Sequence, residues 1–190
     1  MESILIVGSS LAKQVLENSE RCGKNIDSII FKGKVDLNLV ENALKEKNKK
    51  YMTILYLSGN DVLPTKLHKS NNRKHVCLDK FDILKCSDTY SKLVRILSLY
   101  TKNVIFIEPP PRATKIIIDS TCSFFTSSTA ERFRHVINAI NTHINVGVFS
   151  NCTLLGFLRE TNSKICADDR IHLSKEAITI IQEKVINKLQ

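Results

Sequence analysis

Short apolar runs alternate with longer amphipathic stretches along this chain. The runs have the length of buried strands, and each stops at glycine, serine, proline or a charged residue. They predict five strands, at 4–7, 26–31, 52–57, 104–107 and 146–149. The stretches between them have apolar residues every three or four positions, which predicts helices.

The predicted helices have recognisable start signals. The first follows Ser10, and the second begins at Asp36, a residue type that favours the N-cap position. The third covers 83–100, and the fourth opens at the capping box Ser128–Glu131. The last helix covers 174–189.

This alternation of strands and helices predicts a parallel sheet with helices on both faces, which is a three-layer α/β/α domain. Five strands connected in this way favour the flavodoxin-like order 2-1-3-4-5. No internal repeat or change of composition divides the 190 residues, so we expect one domain over 1–190. In this order the ligand crevice lies at the carboxyl ends of strands 1 and 3, where the turns at 8–10 and 58–61 fall.

Polar groups suited to acyl transfer follow these strands or precede the last helix. Ser10 lies at a strand-to-helix turn, where a helix N-terminus favours developing negative charge. A serine nucleophile needs a base, which His172 can supply if Asp169, three residues earlier, holds its tautomer. The Asn60 amide and the backbone N–H of Gly33 are candidate oxyanion donors. Each also has an ordinary explanation: Ser10 as an N-cap, His172 as a polar residue before a helix, and Asn60 as part of a turn.

Four blocks of this sequence resemble those of the SGNH (GDSL-like) hydrolases. The segment Ile4–Leu11 (ILIVGSSL) resembles the block that contains the nucleophilic serine. Gly33 falls where the oxyanion-hole glycine of that family follows strand 2. Leu57–Asp61 (LSGND) resembles the GxND block, and Asp169–Ser174 (DRIHLS) resembles the DxxH block. The blocks stand in the family order and extend over nearly the whole chain.

The resemblance implies a serine esterase or deacetylase that acts on small acyl esters without a metal or an organic cofactor. Ser10 would be the nucleophile, His172 the general base, and Asp169 the residue that orients the base. Asn60, Gly33 and the backbone N–H of Ser10 would form the oxyanion hole. Similar domains occur in some viruses and in proteins of some LINE-type retrotransposons, a setting that a basic protein would suit.

Three residues depart from the family blocks. Ser9, Ser58 and Arg170 stand where the family commonly has Asp, Gly and a small residue. None of these differences removes a catalytic group, so they bear on substrate and efficiency more than on the fold. The segment 114–126 is interpreted either as part of the acyl pocket or as a buried connection.

The net charge of +9 supports an alternative function. Basic residues are concentrated at 45–50 (KEKNKK) and at 64–75, part of a polar stretch to about Lys80 that we interpret as a loop. A basic surface attracts anions. In this alternative, the chain is a non-catalytic module that binds nucleic acid or an acidic partner. A solvated lysine-rich surface or an assembly scaffold explains the same pattern. The candidate nucleic-acid contacts are Lys66, Lys69, Arg73 and Lys74.

The six cysteines are scattered, without a CxxC pair or zinc-ligand spacing. We therefore expect reduced thiols, no metal site and an intracellular, cytoplasmic protein, although Asn151–Thr153 matches a glycosylation sequon. No apolar run approaches the ~18 residues of a membrane span. The N-terminus does not have the pattern of a signal peptide.

Overall fold

Five parallel strands form the central sheet of the protein, which is described here from a computed structural model. The strands of the described residues are β1 (Ile4–Gly8), β2 (Ile26–Ile30), β3 (Thr53–Leu57), β4 (Leu67–Ser70), β5 (Arg73–Val76), β6 (Val104–Ile107), β7 (Lys115–Ile117), β8 (Ser123–Phe125) and β9 (Val146–Phe149). The spatial order of the central sheet, β2-β1-β3-β6-β9, is the predicted 2-1-3-4-5 arrangement. Two antiparallel pairs, β4-β5 and β7-β8, accompany this sheet. The residues that the structure describes are 3–19, 26–62, 67–70, 73–76, 82–111, 115–117, 123–125, 129–140, 146–168 and 172–189.

Side-chain caps mark the starts of several helices. The Asp36 carboxylate accepts from Leu39 N at 3.0 Å, which confirms the predicted N-cap of the second helix. Ser150 caps the fifth helix in the same way, through a 3.2 Å bond from Thr153 N. The helices are α1 (Ser10–Ser19), α2 (Leu37–Lys47), α3 (Ile83–Ser98), α4 (Thr129–Asn138), α5 (Asn151–Leu158) and α6 (Lys175–Ile181). Within the described residues, no helix has the length and apolarity to cross a membrane.

The two faces of the sheet pack against different sets of helices. Along β1, Ile4 and Ile6 join a core built with residues of α1, α5 and α6. Leu5 and Val7 join the opposite core, which contains residues of α2, α3 and α4. Because successive side chains of a strand point to opposite faces, a strand buried on both sides is apolar throughout. The predicted three-layer α/β/α architecture is therefore confirmed.

Some local predictions were wrong. The polar stretch interpreted as a loop contains the β4-β5 hairpin, in which Ser70 pairs with Arg73. The signal overlooked there is Asn71-Asn72, because a two-residue asparagine connection favours a hairpin. Helix α5 was not predicted, since its apolar residues are spread around the helix rather than along one face. The last predicted helix changes type, because α6 continues as a π-helical turn at Gln182–Ile186.

The register of the sheet brings three chain segments to one edge. Gly8, the last residue of β1, pairs with Ile30 of β2 and with Leu57 of β3. A Cβ atom on Gly8 would lie 1.9 Å from the Leu57 carbonyl oxygen, so only glycine permits this close approach. The residues that follow β1, β2 and β3 therefore emerge side by side.

Candidate functional site

An open cleft of about 630 Å³ lies where these segments emerge, on the β2 side of β1. Ser10, Gly33 and Asn60 all line it, so the structure brings together three of the predicted site residues. Gly33 has a φ of 74°, a left-handed conformation that favours glycine. The other lining residues are Lys13, Leu16, Glu17, Ile30, Phe31 and Lys32.

A second, smaller cavity of about 50 Å³ also borders Ser10 and Asn60. It lies toward β6, because its remaining wall includes Pro109 and Pro110, which follow that strand. Ser10 and Asn60 are thus shared by a small cavity and a wide cleft. The remaining lining residues are Ser9, Leu11, Gly59 and Thr129.

The proline segment beside the small cavity is fixed by buried polar contacts. Asn151 Nδ2 donates to the Pro109 carbonyl at 2.8 Å, and Thr129 Oγ1 donates to the Pro110 carbonyl at 2.5 Å. The buried Glu108 carboxylate accepts from Asn151 N at 2.5 Å and forms a 2.8 Å ion pair with Arg134. These bonds join the starts of α4 and α5 to the end of β6, so they fix the wall of the cavity.

Ser10 is the first helical residue of α1 and is exposed. The carbonyl of Ser9 accepts the first helical hydrogen bond, from Lys13 N at 3.1 Å, so Ser9 holds the N-cap position. The ordinary explanation of Ser10 as an N-cap is therefore wrong. Its hydroxyl stands at the positive end of the helix dipole, beside backbone N–H groups that have no partner within the helix.

Asn60 begins a single 3₁₀ turn, Asn60–Val62, which is separated from β3 by two residues. The next residue, Asp61, is buried, and its carboxylate accepts hydrogen bonds from Tyr56 Oη at 2.7 Å, Tyr90 Oη at 3.1 Å and Val35 N at 2.5 Å. Burial, together with the negative charge of Asp61, raises the pKa of Tyr56 and Tyr90 well above the usual value. Both phenols therefore remain protonated donors.

His172 does not line either cavity. Its carbonyl accepts from Ala167 N at 3.0 Å, and the neighbouring Leu173 N donates to Gln14 Oε1 at 3.4 Å. Gln14 is one helical turn beyond Ser10, on the same face of α1. Asp169 lies outside the described residues, and so does Arg170.

For the basic residues, the structure gives ion pairs in the 45–50 run and a strand register in the β4-β5 hairpin. Lys45 forms a 2.7 Å ion pair with Glu41, and Lys49 forms one of the same length with Asp27, so part of the 45–50 run is paired within the chain. Lys69 stands opposite Lys74 in the β4-β5 register, and Ser70 stands opposite Arg73. Lys66 lies outside the described residues.

The residues that the sequence reasoning missed are those around Asp61. Tyr56 lies inside an apolar strand and Tyr90 inside an amphipathic helix, so the sequence pattern assigns neither hydroxyl a polar partner. The sequence signal that could have indicated them is Asp61 itself, because a carboxylate close to the end of a buried strand needs hydrogen-bond donors.

Known structures share this architecture at low sequence identity. An acetyl xylan esterase, AlAXEase, matches with a TM-score of 0.63 and 14% identity over 99% of this chain and 100% of that one. The chain has the fold of this esterase. TesA matches with a TM-score of 0.54 and 14% identity over 100% and 98% of the two chains. Axe2, an acetylxylan esterase from Geobacillus stearothermophilus, matches with a TM-score of 0.55 and 16% identity over 99% and 94%.

No protein-family model and no curated protein sequence matches the chain. The likeness to the solved structures therefore concerns the fold, and it agrees with the architecture that the alternation of strands and helices predicted. None of these structures is described as a viral or retrotransposon protein, so that expectation gains no support from them.

Proposed function

We propose that this chain is a serine esterase that hydrolyses small acyl esters. The observation that carries the proposal is the cleft shared by Ser10, Gly33 and Asn60. An exposed serine at a helix start, an amide side chain and a glycine N–H are the groups that an acyl-transfer site needs at its reacting centre. They come from three separate segments, so a chance grouping of turn residues is a poor explanation for them.

In the proposed reaction, Ser10 Oγ attacks the ester carbonyl while His172 accepts its proton. The resulting oxyanion is bound by the Asn60 amide and by the backbone N–H groups of Gly33 and Ser10. His172 then donates the proton to the departing alcohol, which leaves an acyl group on Ser10. A water molecule, deprotonated by His172, then attacks the acyl carbon, and His172 returns the proton to Ser10 Oγ as the bond to the serine breaks and the acid leaves. Asp169 keeps the imidazole in the required tautomer throughout.

The contact between α1 and the segment before α6 supports the role of His172. Leu173 N bonds to Gln14 Oε1, and Gln14 lies one turn along α1 from Ser10, so the segment that contains His172 contacts the helix that begins at Ser10. The order of nucleophile, acid and base along the chain also matches the family blocks that the sequence resembles.

The two cavities support a small acyl group and a larger alcohol. A cavity needs about 10–15 Å³ to hold one water molecule, so 50 Å³ accommodates only a few heavy atoms, such as those of an acetyl group. The cleft of about 630 Å³ on the β2 side then receives the alcohol. Two proteins with this fold are named for the hydrolysis of acetylated xylan, which is consistent with an acetyl ester.

The adjacent serines provide a direct test. We expect Ser10→Ala to abolish hydrolysis of 4-nitrophenyl acetate and labelling by a fluorophosphonate probe, because the attacking oxygen is lost. Ser9→Ala should retain both, since Ser9 has the N-cap position and a buried hydroxyl. The measurements are initial rates and gel fluorescence on purified proteins with matched circular dichroism spectra.

Two outcomes would contradict the proposal. If labelling were lost in Ser9→Ala and kept in Ser10→Ala, the nucleophile would be the other serine. A wild-type rate no higher than that of buffer would remove the esterase and leave the non-catalytic binding module as the better hypothesis.

A further inference from the structure

The Asp61 carboxylate connects two loops that meet at the cleft. Its Oδ1 accepts from Val35 N, two residues beyond Gly33, and its own residue directly follows Asn60. One side chain therefore links the segment after β2 to the turn after β3. These are the segments that supply the Gly33 and Asn60 donors of the proposed oxyanion hole.

The other carboxylate oxygen is held from the core. Asp61 Oδ2 accepts from Tyr56 Oη at 2.7 Å and from Tyr90 Oη at 3.1 Å. Both tyrosines are fully buried and pack against Phe106, with ring centroids 4.9 Å and 5.5 Å from it. Tyr56 of β3 and Tyr90 of α3 thus fix the position of the carboxylate from the buried core.

The same turn is held at its far end. Arg132 Nε, from α4, donates to the Val62 carbonyl at 2.6 Å, and Cys86 Sγ donates to the Asp61 carbonyl at 3.6 Å. Burying a carboxylate is costly unless its oxygens are well bonded, and apolar packing would stabilise a turn at lower cost. This arrangement is therefore better explained by a requirement for exact placement than by stability alone.

We infer that Asp61 is a positioning residue that sets the separation of the two oxyanion donors, Gly33 and Asn60. It acts through its neighbours, because it does not line either cavity. Oxyanion donors must lie about 2.7–3.1 Å from the developing charge to be effective. A displacement of about 1 Å in either loop lowers the rate by as much as about 100-fold, so the link between the loops matters in the transition state.

The inference rests on the proposed function, and it is tested in the tyrosines that hold the carboxylate. Tyr56→Phe or Tyr90→Phe should each lower kcat for 4-nitrophenyl acetate about tenfold, and the double variant about 100-fold, with KM changed less than about twofold. Phenylalanine keeps the aromatic packing and removes only the donor. Asp61→Asn should lower kcat at least as much as the double variant, and the tyrosine variants decide the question if it does not fold.

The chain contains a matched control at the other end of β3. Tyr51 Oη donates to Asp27 Oδ2 at 2.8 Å, a bond of the same type that lies away from the cleft. Tyr51→Phe should lower the thermal midpoint while leaving kcat unchanged. Inhibition by a short alkylboronic acid adds a second readout, because its adduct with Ser10 places an anionic oxygen at the hole. The inhibition constant should rise in Tyr56→Phe in parallel with the fall in kcat/KM, and should stay constant in Tyr51→Phe.

The possible failures can be told apart. If wild type showed no hydrolysis that depends on Ser10, the proposed function itself would be wrong. If wild type were active and the double tyrosine variant kept the wild-type kcat, the esterase would stand and the inference about Asp61 would be overturned. Equal losses of kcat in Tyr51→Phe and Tyr56→Phe would also overturn it, because the effect would then follow stability and not position.

Discussion

Three consecutive residues at the end of β1 have three different tasks. Gly8 permits the close approach of β3, as its missing Cβ would lie 1.9 Å from the Leu57 carbonyl oxygen. Ser9 starts the helix through its carbonyl, while its hydroxyl is buried. Ser10 alone is exposed at the cleft. The environment, rather than the residue type, therefore distinguishes the candidate nucleophile from the serine beside it.

The proposed oxyanion donor Asn60 gives a prediction for a single residue. Asn60→Ala should lower kcat for an acetyl ester by about 10²–10³-fold and leave KM nearly unchanged, because the lost bond forms mainly in the transition state. Steady-state kinetics measures both constants. Asn48→Ala is a suitable control, since Asn48 caps the end of α2 away from the cleft. A change confined to KM would make Asn60 a substrate-binding residue instead.

The sequence could predict Ser10, Gly33 and Asn60 because each lies within three residues of the end of a predicted strand. It could not predict the role of Asp61, whose donors lie 5, 26 and 29 residues away along the chain. Such contacts depend on the packing of β3 against α3 and on the path of the loop after β2. Periodicity indicates that Tyr56 and Tyr90 are buried, but not which polar group their hydroxyls reach.

At the scale of elements, a small polar cluster joins the starts of β2 and β3, opposite the cleft. Asp27 lies near the start of β2, and Tyr51 and Lys49 precede β3. Burial by itself raises the pKa of Asp27, but hydrogen bonds from Lys49 and Tyr51 outweigh it, and the pKa is lowered. The ionised form is thus favoured by the fold. Its contribution to stability is present above the carboxyl pKa of the unfolded chain and is lost as the pH falls through the lower, folded value.

This cluster gives a pH prediction. Asp27→Asn should lower the free energy of unfolding by about 1 kcal/mol at pH 7, and the difference from wild type should shrink as the pH falls below about 4. Urea unfolding at pH 7 and pH 3 measures it. Asp88→Asn, which removes an exposed pair with Lys92, should have little effect at either pH. A difference that stayed constant between the two pH values would show that the charge of Asp27 is not involved.

Strong local signals account for the elements that the sequence predicted well. The strand Val104–Ile107 was predicted at its observed bounds, because a short apolar run is followed by the proline segment. Helix α5 was not predicted because its apolar residues do not follow one face, and part of its N-terminus is held by a distant group, the Glu108 carboxylate bonded to Asn151 N. The β4-β5 hairpin was not predicted because most residues of its strands are polar. Central strands could thus be predicted from hydrophobicity, whereas elements at the margins depend on tertiary contacts and turn chemistry.

At the scale of the whole molecule, the net charge is +9, and basic residues are concentrated in the 45–50 run and in the 64–75 segment, which contains strands of the β4-β5 hairpin. In the 45–50 run, Lys45 and Lys49 are paired with Glu41 and Asp27. Lysines that are already paired have less to gain from an external anion. The register of the β4-β5 hairpin sets the position of Lys69 opposite that of Lys74, and Arg73 stands beside Lys74 in the sequence. This concentration of basic residues makes the hairpin the better site at which to test the nucleic-acid hypothesis.

We expect any nucleic-acid binding to be electrostatic and independent of the cleft. Affinity for a single-stranded oligonucleotide should fall steeply as salt rises and show little sequence preference, because phosphate contacts release counterions without reading bases.

The double variant Lys69→Glu/Lys74→Glu should weaken binding more than Lys45→Glu. A double change alters the net charge by twice as much as a single one, so this comparison needs a control of equal charge. Lys45→Glu/Lys92→Glu therefore serves as the charge-matched control, since both lysines are already in exposed pairs. Fluorescence anisotropy across a salt series measures these affinities, and Ser10→Ala should bind as wild type does. Affinity that did not change with salt, or equal losses in the two double variants, would remove the hairpin as a binding site and leave the positive charge as a general property of the surface.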